Sequence, residues 1–326
     1  MRIGVVGAGA WGTALAQVAA SGGEDVLLWA REPEVVDSVN GAHENALFLP
    51  GLKLAPSIRA VADPGELAPC EALLIVSPAQ FMRPVLAALP PGDRPLILCS
   101  KGIEEASGLL MHDVAQQVLP GAPLSVLSGP TFAHEVAGGL PTAITLAADD
   151  EAVGERIARR LARPFFRPYL SSDVVGAEVG GAVKNVLAIA CGVVEGMGLG
   201  LNARAALISR GFAEMSRFGL AQGARPETLA GLAGLGDLVL TCSSTNSRNF
   251  SLGKGIGEGR SAADLLADRR TVAEGAFTAP VLRRVADGIG VEMPIVAAVC
   301  GLLDGSLSAR DAVGGLLARP LRSEGV

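Results

Sequence analysis

The 326-residue sequence predicts an α/β domain over residues 1–171 followed by an all-helical domain over residues 172–326. Three observations support this division. Short aliphatic runs alternate with helical stretches in the first half, a glycine-rich turn directly follows the first run, and strand-like runs end after Ser171. The length is about twice that of a usual single domain, which agrees with two domains.

Six runs of β-branched and aliphatic residues are the predicted strands of the first domain. Several are continuously apolar, as expected of parallel strands that are buried on both faces and joined by right-handed helical crossovers. The runs cover residues 3–6, 26–29, 73–76, 96–99, 124–127 and 143–146.

The second domain is predicted from long stretches rich in Ala, Leu and Gly, at residues 173–197 and 203–219. Ser172 and Asp173 precede or begin the first stretch, and their side chains suit the N-terminal cap of a helix. We therefore place the domain boundary between residues 171 and 172.

The composition argues against several classes of partner and location. The chain carries 27 basic and 33 acidic residues without a basic run, which disfavours a nucleic acid or an acidic membrane surface as partner. Charged residues interrupt the apolar stretches, so we expect no membrane span, and the N-terminus leaves no room for a signal peptide. The 5 cysteines form no CxxC pair, which favours a reducing cytoplasm and disfavours disulfides and a metal site.

A G-x-G-x-x-G motif occupies residues 7–12, between the first predicted strand and a helical stretch. Gly7 would permit the tight turn, Gly9 would let the main chain approach a pyrophosphate, and Gly12 would let the helix pack closely on the strand. This context favours a Rossmann-like dinucleotide-binding domain over a merely structural glycine turn.

Arg31 and Glu32 follow the second predicted strand, about 20 residues beyond the glycines, where such domains contact the cofactor ribose. A guanidinium here could pair with a 2′-phosphate, whereas a carboxylate would repel it. From Arg31 we hypothesise that NADPH is used at least as well as NADH. A solvated surface arginine is the alternative interpretation.

Lys184 and Asp237 are isolated charges in apolar surroundings. Lys184 could be a desolvated general acid/base with a lowered pKa, or its stem could cover apolar surface while the ammonium reaches water. Asp237 could cap a helix or turn, or it could be the counter-charge that orients Lys184.

Other polar residues lie at strand ends and in one loop. Residues 100–102 and 128–131 follow predicted strands, where ligands of open α/β sheets bind. Ser247, Arg248 and Asn249 offer a hydroxyl, a guanidinium and an amide that suit a phosphate monoester, although an ordinary polar loop has the same composition. Residues 272–275 look locally like an ordinary loop or helix start.

Seven blocks of sequence, taken in order, resemble the bacterial NAD(P)-dependent glycerol-3-phosphate dehydrogenases over nearly the whole chain. The resemblance implies an oxidoreductase that interconverts dihydroxyacetone phosphate and sn-glycerol 3-phosphate with NADPH or NADH, for phospholipid synthesis. The blocks are GAGAWGTALA (7–16), SKGIE (100–104), SGPTFAHEVA (128–137), KNVLAIACG (184–192), GLGDLVLTC (234–242), SRN (247–249) and VAEG (272–275).

The resemblance also implies roles for individual residues, and by analogy a homodimer. Lys184 would be the general acid/base, held by Asp237 and Asn185. The substrate would contact Lys101, Gly129, Thr131, Lys184, Asp237, Ser247, Arg248 and Asn249. The cofactor would contact Gly7, Gly9, Ala10, Trp11, Gly12, Arg31, Lys101, Ala133, Arg248, Val272 and Glu274.

Two departures from the family pattern are visible. Ala10 stands where a small hydroxyl residue is expected, which removes at most one side-chain hydrogen bond, on the order of 1 kcal/mol. Residues 242–246 lack the acidic residues expected there, so their local contacts stay open. Two other functions remain as alternatives: a β-hydroxyacid or ketoacid reductase with the same two-domain plan, and a noncatalytic dinucleotide sensor.

Overall fold

The computed structural model describes residues 1–267 and 273–319. The chain divides into two compact units, one formed by Met1–Gly181 with Gln222–Asp237 and the other by Ala182–Ala221 with Leu238–Val326. The boundary predicted from sequence, between residues 171 and 172, lies between the last strand and the first long helix. The compact units divide that helix instead.

An eight-stranded sheet forms the centre of the first unit, in the order β3-β2-β1-β4-β5-β6-β7-β8. The first six strands of the chain are parallel to one another, and their order confirms the predicted Rossmann-like fold. The strands are β1 (Ile3–Val6), β2 (Val26–Trp29), β3 (Ile58–Val61), β4 (Ala72–Ile75), β5 (Leu96–Leu98), β6 (Leu124–Ser128), β7 (Thr142–Ala148) and β8 (Phe166–Ser171).

The sequence-based prediction was wrong in two respects. It missed β3 and β8, and it gave no indication that β7 runs antiparallel to β6. Strand β3 is only four residues long and carries the exposed Arg59. Strand β8 contains Pro168, which is tolerated because β8 lies at the edge of the sheet.

Both faces of the sheet are buried along β1, β2, β4, β5 and β6, which explains why these strands are predominantly apolar in sequence. Alternate residues enter two separate cores, with Val5 and Leu74 on one face and Val6 and Leu73 on the other. Because β1 to β6 are parallel, their carboxyl ends lie at one common edge of the sheet. The residues that follow these strands can form a site there.

Within the described residues, helices make up the remaining regular structure, apart from short 3-10 turns and one π-helical turn. They are α1 (Ala10–Ala20), α2 (Pro33–Ala42), α3 (Met82–Ala87), α4 (Met111–Val118), α5 (Ala133–Ala137), α6 (Glu151–Leu161), α7 (Val174–Gly196), α8 (Gly200–Ala221), α9 (Pro226–Ala230), α10 (Asp237–Thr241), α11 (Arg248–Gly257), α12 (Ala262–Leu266), α13 (Glu274–Gly288), α14 (Pro294–Leu303) and α15 (Ala309–Leu317).

The prediction of a helical second half is confirmed, since every named element after β8 is helical within the described ranges. The carboxylate of Asp173 accepts a hydrogen bond from the Gly176 N–H at 2.9 Å, so the predicted cap at the start of α7 is present.

Helix α7 is long and apolar enough to cross a membrane by length and composition, contrary to the expectation that charges interrupt every such stretch. Its most apolar window is 94% buried inside the protein, and a buried core helix passes the same test of length and composition. Burial in the core explains the composition of α7 without a bilayer.

Helices α7 and α11 pack main chain against main chain within the second unit. A Cβ atom on Gly192 would lie 2.0 Å from the Phe250 carbonyl oxygen, and one on Gly253 would lie 1.9 Å from that of Ile189. Because neither position has room for a methyl group, the two helices have a fixed register that positions the polar residues described below.

Candidate active site

The glycine loop joins β1 to α1 as predicted. Gly7 adopts φ +113°, a conformation that disfavours L side chains. A Cβ atom on Gly12 would lie 1.8 Å from the Gly7 carbonyl oxygen, whereas a Cβ atom on Gly9 would meet no atom within 4 Å. The loop is therefore closed toward the protein at Gly12 and open at Gly9.

This arrangement fits a dinucleotide pyrophosphate. Gly9 occupies the N-cap of α1 without a side-chain cap, and the first turn of α1 contains no acidic residue. The first N–H groups of a helix lack intrahelical partners and carry the positive end of the helix dipole, so they suit an anionic ligand. Ala10 begins α1 and would contribute its main-chain N–H rather than a side-chain hydroxyl.

Two predicted cofactor residues have side chains with informative surroundings. The indole Nε1 of Trp11 is buried and makes no hydrogen bond to another described residue. The Arg31 side chain is 79% exposed and its Nη2 lies 3.0 Å from Glu32 Oε1. Glu32 thus already pairs with the guanidinium that was predicted to meet a 2′-phosphate.

Lys101 and Asp237 form an ion pair within the first unit. Lys101 follows β5, and its Nζ donates to Asp237 Oδ2 at 2.7 Å and lies 3.4 Å from the Gly129 carbonyl oxygen. The Asp237 carboxylate is fully buried, and the Lys101 side chain is 15% exposed. Thr131 donates to the same Gly129 carbonyl at 3.3 Å, so two predicted substrate residues contact the carbonyl oxygen of a third.

The main chain before Asp237 forms a π-helical turn at Leu232–Gly236. The Gly236 N–H donates to the Gly231 carbonyl at 3.0 Å, five residues back. Such turns are rare in proteins as a whole, and those that occur often lie at functional sites. The sequence showed an isolated carboxylate after glycines but gave no indication of this turn. The pairing of Asp237 with Lys184 stays a prediction, and the pairing with Lys101 was not predicted.

Lys184 is buried in the middle of α7, with 6% of its surface exposed. Its Nζ donates to the Thr241 hydroxyl at 3.0 Å within the second unit. A snorkelling lysine would hold its ammonium in water, so this alternative does not describe Lys184. Sequence reasoning missed Thr241, because a threonine at the end of a helix is not by itself a signal.

Asn185, Asn249 and Gly275 are joined by hydrogen bonds. Asn249 donates to Asn185 Oδ1 at 3.1 Å and accepts from the Gly275 N–H at 2.9 Å. Ser247 caps α11 by accepting from the Phe250 N–H at 3.2 Å. Arg248 begins α11 and is exposed, so its guanidinium is accessible to an anion.

The remaining predicted cofactor residues lie at helix starts. Ala133 begins α5 and Glu274 begins α13, and both are half-buried. Val272 lies outside the described residues. Cys99, which precedes Ser100 and Lys101, is not a candidate nucleophile, because burial raises the pKa of its thiol far above the ordinary value.

Comparison with known proteins gives a consistent result. A family model described as the N-terminus of NAD-dependent glycerol-3-phosphate dehydrogenase matches residues 2–154, and the corresponding C-terminal model matches residues 173–314. A protein of Novosphingobium aromaticivorans named glycerol-3-phosphate dehydrogenase (NAD(P)+) is 64% identical over 324 residues, which cover 99% of this chain and 98% of that protein.

Two further relatives agree with this result. The Erythrobacter litoralis protein of the same name is 63% identical over 323 residues, with 99% of this chain and 98% of that protein covered. The crystal structure of glycerol-3-phosphate dehydrogenase from Coxiella burnetii matches with a TM-score of 0.93 at 38% identity, covering 98% of this chain and 99% of that chain. The chain belongs to the NAD-dependent glycerol-3-phosphate dehydrogenase family.

Proposed function

We infer that this chain is an oxidoreductase that interconverts dihydroxyacetone phosphate and sn-glycerol 3-phosphate with NADPH or NADH. The observation that carries this inference is the buried Lys184 beside Thr241, in a chain whose family models span nearly all of its length. Reduction of a ketone needs a proton donor for the carbonyl oxygen, and Lys184 is a buried cation with a fixed orientation.

A bound nicotinamide cofactor would supply the hydride in reduction and accept it in oxidation. Lys184 donates a proton from Nζ to the carbonyl oxygen of the ketone, becomes a neutral amine, and takes a proton back in the reverse direction. The Thr241 hydroxyl accepts one N–H of Lys184 and so orients the other two.

We assign supporting roles to the neighbouring polar residues. We assign Asn185 and Asp237 to hold the catalytic lysine, and Asp237 also forms an ion pair with Lys101. Arg248 can form two parallel hydrogen bonds to a phosphate, and Ser247 and Asn249 lie beside it at the start of α11. Gly129 and Thr131 complete the substrate set.

For the cofactor, we assign the pyrophosphate to Gly7, Gly9, Ala10 and Gly12 and the adenosine end to Arg31. The remaining contacts come from Trp11, Lys101, Ala133, Arg248 and Glu274. We further propose that residues 1–171 carry cofactor binding, that residues 172–326 carry the proton transfer, that the enzyme acts in the cytoplasm, and that it is a homodimer.

The discriminating experiment measures oxidation of NADPH by its absorbance, with dihydroxyacetone phosphate and, separately, with ketopantoate. We expect a specificity constant at least about 100-fold higher for the phosphorylated ketone, because two or more charge-assisted hydrogen bonds to the phosphate are lost with a carboxylate of different shape. Preferential turnover of ketopantoate would establish the ketoacid reductase alternative. Cofactor binding without turnover of either ketone would establish the sensor alternative.

A further inference from the structure

Asn45 is a polar side chain with no role in the function described so far, and it is completely buried. It lies in the turn after α2. Its amide nitrogen donates to the Ala8 carbonyl at 2.8 Å and to the Thr13 hydroxyl at 2.8 Å. Its amide oxygen accepts from the Phe48 N–H at 3.1 Å. Both amide hydrogens and the oxygen are therefore engaged inside the protein.

The Ala8 carbonyl belongs to the glycine loop and receives two hydrogen bonds. The second comes from the Thr13 hydroxyl at 3.3 Å. Two inward donors on one oxygen fix the plane of the Ala8–Gly9 peptide. In a planar trans peptide the C=O and N–H bonds point in opposite directions, so an inward Ala8 carbonyl requires an outward Gly9 N–H. The space beside Gly9 is open.

We propose that Asn45 is a positioning residue for the pyrophosphate, which acts by holding the Ala8–Gly9 peptide with its N–H toward the ligand. The proposal rests on the proposed function, since it takes a nicotinamide dinucleotide as the ligand. A rotated peptide would present the Ala8 carbonyl oxygen to the pyrophosphate and would replace a donor with a repelling acceptor. Asn45 itself has no donor left for the ligand, so it acts only through the loop.

The segment that carries Asn45 is attached to α1 at a second point. The Ala55 N–H donates to the Gln17 side chain on α1 at 2.8 Å, and the Leu54 N–H donates to the His43 carbonyl at 2.8 Å. The stretch from His43 to Ala55 is thus closed on itself and joined to the helix that the glycine loop begins. This attachment keeps the Asn45 amide from moving away from Ala8.

The test compares two ligands on the full-length protein: NADPH, and adenosine 2′-phosphate, which lacks the pyrophosphate. In Asn45→Asp the carboxylate cannot donate to Ala8 and adds a negative charge below the loop. We expect NADPH to bind at least about tenfold more weakly, which is the size of loss that one charge-assisted contact gives. Adenosine 2′-phosphate should bind as it does to the wild type. The KM for dihydroxyacetone phosphate at saturating NADPH stays unchanged.

Two further variants make the test independent of folding defects. Thr13→Val removes one donor to Ala8 with little change in shape, and we expect a loss of NADPH affinity of about threefold to tenfold. If Asn45→Asp does not fold, Thr13→Val still tests the proposal. Asn40→Asp is the matched control, because the Asn40 amide bridges the N–H and carbonyl of Ala60, away from the loop. It should leave the affinity for NADPH unchanged.

The outcomes separate this inference from the proposed function. Unchanged NADPH affinity in folded Asn45→Asp and Thr13→Val, beside normal wild-type binding, would overturn the inference alone. An equal loss for NADPH and adenosine 2′-phosphate would also overturn it, because a general structural defect weakens both ligands. Wild-type protein that binds no NADPH would contradict the proposed function as well.

Discussion

The glycine loop of the first unit and the helical residues of the second unit provide binding groups in different ways. In the loop the proposed binding groups are main-chain N–H bonds, so glycine is needed at the three positions 7, 9 and 12, where a side chain would obstruct the turn, the ligand or the packing of the helix. In the second unit the functional groups are side chains on α7, α10 and α11, which packing brings together from positions up to 64 residues apart. Binding by main-chain groups therefore appears in the sequence as one short motif. Binding by side chains appears as single residues that are far apart in the sequence.

The largest effect is expected for Lys184, the proposed proton donor. Lys184→Met preserves the apolar stem and removes the exchangeable proton, so kcat should fall by about 10² to 10⁴. NADPH affinity, measured by direct titration, should stay within about twofold. Lys254→Met is the control, because Lys254 lies on α11 with 41% of its side chain exposed and pairs only loosely with Glu258. An active Lys184→Met enzyme would remove the basis of the proposed mechanism.

The next largest effect tests whether Gly12 and Gly9 have different roles in the loop. Gly12→Ala places a methyl group against the Gly7 carbonyl, so the thermal midpoint and NADPH affinity should both fall, the affinity by about tenfold or more. Gly9→Ala has open space and φ −65°, so the fold should tolerate it while the methyl group keeps the pyrophosphate away. Thermal unfolding and NADPH titration of both variants measure this. A stable Gly12→Ala with normal affinity would contradict the assigned close approach.

The smallest effect is expected at Arg31 and Glu32, beside the proposed position of the adenosine end of the cofactor. Arg31→Ala should lower the ratio of kcat/KM for NADPH to that for NADH by about threefold to tenfold, since an exposed arginine contributes little more than one charge-assisted contact. Glu32→Gln should raise the same ratio, because it releases Arg31 from its present partner and removes a charge that repels the 2′-phosphate. An unchanged ratio in both variants would show that Arg31 is an ordinary surface residue.

The same contrast explains what the sequence could predict. The loop and the apolar strands were predictable because each follows from one local rule about main-chain space or burial. Lys184 was noticeable because a charge in an apolar helix is costly to bury. Thr241 and the Asn185–Asn249 pair were not, since a hydroxyl or an amide on a helix has the same local pattern whether it contacts water or a buried partner. The direction of β7 was missed because strand direction depends on the connection and not on the composition of the strand.

The interlocked glycines of α7 and α11 also limit how this chain can change in length. Each residue added to an α-helix rotates the rest of that helix by about 100°. An insertion between Lys184 and Gly192 would leave the glycine face seated on α11 and swing the amine to another side of the helix. Single substitutions between Lys184 and Gly192 can therefore be tolerated. Insertions and deletions there cannot, because the contact between the two backbones fixes the number of residues.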